Sequence, residues 1–135
     1  MKSKCSLIVI LVVIILLLHI AGIIFNLYEK KVRIDIPQHI LSGAIFGLIW
    51  FWLLESNAQN FSKSLTGISI VSFAVLGSLI WEFFEFALWN FAPILAKNIQ
   101  LYSPRVGELL GDMLSGLTGG IAIVLYTMYK KAVKV

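Results

Sequence analysis

Four long apolar segments separated by three short polar gaps dominate the hydrophobic pattern of the chain. They run approximately from Ser6 to Leu27, Ile36 to Leu54, Leu65 to Phe91 and Val106 to Tyr129. Each is near the ~20 residues that a helix needs to cross a hydrocarbon core about 30 Å thick. In lipid the backbone must satisfy its own hydrogen bonds, and segments of this length do so as helices rather than as the short alternating strands of a barrel. The gaps carry Lys30, Lys31 and Arg33, then Asn57, Asn60 and Ser62, then Pro93 and Pro104. Pro37 stands where a helix starts well, because its missing N–H would be unpaired there in any case. The stretch from Pro93 to Pro104 is too polar and too broken to span, and is expected to lie along the interface. The pattern predicts an all-α fold, an integral membrane bundle of four transmembrane helices, in a single transmembrane domain covering residues 1–135.

Composition agrees with the pattern. Hydrophobic residues make up 59% of the chain and charged ones 13%, where soluble proteins carry about a quarter charged. The net charge of +4 comes from basic residues grouped at the termini and in the gaps. They form no basic stripe, so the partner is the lipid bilayer and no nucleic acid is expected. A single cysteine, Cys5, excludes an intramolecular disulfide and a cysteine-built zinc site. The lysines before the first apolar run imitate a secretory signal, but no Ala-x-Ala pattern follows, and an uncleaved first span is expected. Six basic residues (Lys2, Lys4, Lys63, Lys130, Lys131, Lys134) fall on one side of the membrane and five (Lys30, Lys31, Arg33, Lys97, Arg105) on the other. The terminal lysines tip both termini toward the cytoplasm, giving a multi-pass protein of the cell membrane.

The charges inside the apolar segments change the picture further. An ionised side chain near the bilayer centre costs roughly 2.5–3.5 kcal/mol, so each one retained there needs a partner or a purpose. Glu82 and Glu85 stand three residues apart on one face of the third span; Asp35 and His39 open the second, and Glu108 and Asp112 the fourth, each pair four residues apart. Antiparallel connectivity puts the starts of spans two and four and the end of span three in one leaflet. At about 1.5 Å per residue, His39 and Asp112 should lie one to two turns inside, with Glu85 at similar depth and Glu82 deeper. Small residues adjoin them: Ser42, Gly43 and Gly47 after His39, and Ser115, Gly116 and Gly119 after Asp112. Such residues let helices approach closely in lipid, so the polar stripes should face the bundle interior.

Carboxylates crowded in a low-dielectric site need compensation. A divalent cation held by Glu82, Glu85, Asp112 and His39, shared protons, or an inward-folding Arg33 or Arg105 would each supply it. These four residues are the candidate catalytic and metal-ligating set. Asp35 and Glu108 read as helix-start residues favoured by the dipole, and His19, alone on an apolar helix, as a packed and hydrogen-bonded histidine. The aromatics near span ends, Tyr28, Trp50, Trp52, Trp89, Tyr102, Tyr126 and Tyr129, are ordinary interfacial residues.

Asp35 with His39 at a span start, the Glu82/Glu85 pair, Arg105, Asp112-Met113 and the run through Gly116, Gly119 and Gly120 together resemble the VanZ-like and YjdF-like small membrane proteins. The likeness covers the last hundred residues or so. It departs at Gly116, where the VanZ pattern has asparagine, and near Glu85, where it has glutamine. The resemblance implies a cell-envelope protein associated with glycopeptide resistance and brings no reaction with it. Three functions are open: a pocket that recognises a lipid headgroup or lipid-linked envelope precursor; a metal-dependent membrane enzyme on a lipid-linked substrate, one of the four residues serving as general base; or a proton or ion relay. Four short spans favour a complete transport path less in a single chain than in a homo-oligomer.

Overall fold

The structure, a computed structural model, describes residues 2–28, 32–55, 62–101 and 106–132. These form five helices: α1 (Lys2–Ile24), α2 (Asp35–Glu55), α3 (Lys63–Phe91), the short α4 (Pro93–Asn98) and α5 (Val106–Ala132). Four of them, all but α4, are long and apolar enough to cross a membrane. No strand occurs among the described residues. Arg105 and Tyr102 lie outside the described residues, as do Lys30 and Lys31.

Helix ends follow from local chemistry. The Ser62 hydroxyl accepts from the Leu65 N–H at 3.2 Å and caps α3. Helix α1 stops at Ile24, before its apolar run does, because Asn26 adopts φ 51° and closes a Schellman turn: Leu27 N–H bonds the Gly22 carbonyl at 2.9 Å and Asn26 N–H that of Ile23 at 3.2 Å. The turn folds Tyr28 back so that its ring packs on Gly22. The segment from Pro93 onward gains a helix that the polar pattern hides. Proline opens α4, and Gln100, at φ 54°, ends it with the same turn, through Leu101 N–H to Ala96 O at 3.0 Å and Gln100 N–H to Lys97 O at 3.1 Å.

Helices α2, α3 and α5 pack on one another and form the centre of the bundle. Helix α1 packs chiefly against α2. Its surface is apolar all round, with Val9, Val13, Leu16, Leu17 and Ile20 exposed, as suits a lipid-facing helix. In the half that holds the N-terminus of α1, Ala44, Leu48, Ile70 and Ile123 form an apolar core, with Leu7, Ile8 and Leu11 of α1 against it. Trp50 and Phe73 stack across α2 and α3 with ring centroids 4.6 Å apart. Deeper contact is made by small residues. A Cβ on Gly43 of α2 would collide with the Gly116 carbonyl of α5, and one on Gly116 would strike the Ser78 hydroxyl of α3. Three backbones therefore meet at one level, with no side chain large enough to hold them apart.

Candidate functional site

The layer of Gly43, Gly116 and Ser78 positions the layer beside it. His39 lies one turn before Gly43 on α2, Asp112 one turn before Gly116 on α5, and Glu82 one turn after Ser78 on α3, which runs the opposite way. Side chains four residues apart stack on one helical face. The close crossing of the backbones thus stacks His39, Asp112 and Glu82 as a second layer of three. On α3 the buried stripe Thr66, Ile70, Ala74, Ser78, Glu82 advances by fours and ends on the carboxylate.

All three residues are buried, 6–8% exposed. One ligand atom from each lies within 4.8 Å of the other two. His39 Nε2 is 3.7 Å from Asp112 Oδ1 and 4.0 Å from Glu82 Oε1. Both separations exceed a hydrogen bond, and these two carboxylate oxygens are buried without a hydrogen-bond partner. Three donors converge on a common point without touching one another.

Beside this cluster is a cavity of about 370 Å³. Ile15, Leu16, Ile45, Phe46 and Phe84 supply apolar wall; His39, Asp112 and Glu85 supply polar wall, with Ile99, Gln100 and Leu101 also lining it. Glu82 does not line it. Glu85 does, with Oε1 accepting from the Trp81 indole N–H at 2.8 Å. Across the cavity, the Tyr28 hydroxyl lies 2.7 Å from His19 Nδ1 and accepts from Gln38 Nε2 at 3.2 Å. Burial raises the Tyr28 pKa above its ordinary value, partly offset by the Gln38 bond, so this group acts as a neutral hydroxyl.

Of the four residues singled out from the sequence, three meet and Glu85 stands aside, facing the cavity. Depth counted from span ends favoured Glu85 as the neighbour of His39 and Asp112. That count fails because α3 is 29 residues long and runs nine residues past Glu82, while α2 starts only four before His39. Arg33 bonds Asp35, Nη2 to Oδ2 at 3.0 Å and Nε to Oδ2 at 3.1 Å, at the first turn of α2. This suits the helix-start role of Asp35. Glu108 occupies the first turn of α5. His19 is hydrogen-bonded, and Tyr28, expected as an interfacial aromatic, is instead a buried member of the cavity wall.

Gln38 and Gln100 are not among the residues that the sequence pattern marks out. A glutamine within the first turn of an apolar span is itself a costly intramembrane polar group, and that was the available signal for Gln38. Gln100 carries an isolated buried Oε1 on a left-handed residue, a conformation no sequence pattern announces.

No curated protein and no solved structure matches the chain. A family described as "Predicted membrane protein (DUF2238)" matches it over residues 5–132, a stretch that takes in the four long helices except the first three residues of α1, and every residue of the buried cluster. The chain belongs to that family of membrane proteins.

Proposed function

We propose that the protein is a multi-pass cell-envelope protein, akin to VanZ-like and YjdF-like proteins, that binds or modifies the headgroup of a lipid or lipid-linked envelope precursor. The observation that carries this reading is the cavity between α1 and α3. Its volume of about 370 Å³ falls within the range of small-molecule sites, roughly 300–1,000 Å³, and suits a headgroup whose chains stay in the bilayer. Its rim supports entry from the side: Leu16, Trp81 and Phe84 line it and are also 43–54% exposed toward the lipid-facing surface. The polar end offers acceptors at Asp112 and Glu85 and a hydroxyl at Tyr28, a set that fits a hydroxylated or amine-bearing headgroup.

Native mass spectrometry of the detergent-purified protein tests the reading. The wild type should retain a lipid adduct of about one per chain. Ser42→Trp, which places an indole in the cavity beside His39, should reduce that adduct at least tenfold while the protein stays monodisperse. A wild type without bound lipid, or a tryptophan at position 42 without effect, would remove the basis for the proposal.

With both termini in the cytoplasm, the cavity lies in the outer leaflet and α4 on the outer surface. Lys97→Cys in a Cys5→Ser background should then react with a membrane-impermeant maleimide in intact cells, Lys97 being exposed. Labelling only after the cells are opened would reverse the orientation.

A further inference from the structure

We infer that His39, Glu82 and Asp112 form a binding site for one divalent first-row metal ion of zinc size, with an open coordination position toward the cavity. The charge balance is the first argument. Two carboxylates and one neutral imidazole compensate a 2+ ion, so the loaded site is neutral overall, the state that a low-dielectric bundle interior favours.

Spacing is the second argument. Tetrahedral bonds of about 2.0–2.2 Å set donors about 3.3–3.6 Å apart. The separations of 3.7 and 4.0 Å around His39 Nε2 are a few tenths of an ångström wider, within reach of small rotations of Glu82 and Asp112. Donors that packed against one another would leave no room; donors that served hydrogen bonds would be closer or have partners. Glu82 Oε1 and Asp112 Oδ1, each on a side chain more than nine-tenths buried, point into the gap and have no partner.

Ligand chemistry selects the ion. An imidazole with carboxylates suits zinc, iron or manganese, and the absence of thiolate argues against soft metals. Three protein ligands are the usual complement of an open rather than a purely structural site. His39 and Asp112 line the cavity and Glu82 closes the opposite side, so the fourth position faces the space where a headgroup oxygen would enter. That last clause rests on the lipid reading; the metal site itself does not.

The test is metal analysis of the full-length protein in detergent, as purified and after incubation with zinc or manganese chloride followed by desalting. About one equivalent per chain is expected for the wild type and for Glu85→Gln, with at least a tenfold loss of affinity for Glu82→Gln and Asp112→Asn. Cobalt substitution of the wild type should give visible ligand-field bands and X-ray absorption with nitrogen and oxygen donors only. Because the wild type is read directly, the outcome does not depend on whether the variants fold. No stoichiometric metal in the wild type before or after loading would overturn the inference, as would full loading of well-folded Glu82→Gln and Asp112→Asn. Metal retained in a protein without bound lipid would uphold this site and count against the headgroup reading.

Discussion

Gly43→Leu is expected to prevent the bundle from assembling, with loss of the monodisperse peak in detergent and of most of the accumulated protein. Any side chain at position 43 begins with a Cβ that falls on the Gly116 carbonyl, and a backbone atom cannot rotate away as a side chain can. Overpacking a well-filled core costs about 1–3 kcal/mol when side chains absorb it; here α2 and α5 must separate, so the loss should exceed that range. Gly43→Ala is the sharper test of sign. Alanine in a helix gains roughly 0.5–1 kcal/mol over glycine, yet at this position the expected result is a lower melting temperature. Gly107→Leu is the control, since nothing lies within 4 Å of a Cβ there, and its melting temperature should be close to that of the wild type.

His39→Phe is expected to destabilise the metal-free protein by about 1–3 kcal/mol, the usual cost of leaving buried polar groups without a polar neighbour. The ring keeps its volume but loses the nitrogen that faces Glu82 and Asp112. In the metal-free protein its removal leaves two buried carboxylates facing each other with no polar group between them. Adding Glu82→Gln to His39→Phe should therefore restore part of the loss, because one of the two charges is gone. The measurement is the unfolding free energy of the wild type, both single variants and the double variant in the same detergent. Strict additivity of the two changes would show that His39 and Glu82 are not energetically coupled.

Why the fold is legible in the sequence and the cluster only partly so is a matter of which quantity each depends on. The spans follow from apolar length, which the bilayer enforces locally. The stripe of Thr66, Ile70, Ala74, Ser78 and Glu82 on α3, and the glycines one turn from His39 and Asp112, carry the information that these faces turn inward. What they do not carry is axial offset. Whether Glu82 or Glu85 reaches the level of His39 depends on how far α3 projects beyond α2, and that is fixed by the meeting of Gly43, Gly116 and Ser78 rather than by any span end. The wall of His19, Tyr28 and Gln38 is harder still to read, since it depends on one left-handed residue, Asn26, folding Tyr28 back over α1.

The packing of α1 chiefly against α2 divides the labour of the bundle. None of His39, Glu82 and Asp112 resides on α1, and the crossing that spaces them belongs to α2, α3 and α5. Helix α1 nevertheless supplies Ile15, Leu16 and His19 to the cavity wall. One wall of the pocket thus comes from the three-helix centre and the other from a helix seated on α2. Substitutions on α1 would reshape the opening and leave the spacing of the three donors to α2, α3 and α5, so the calibre of the opening and the identity of the donors can vary independently.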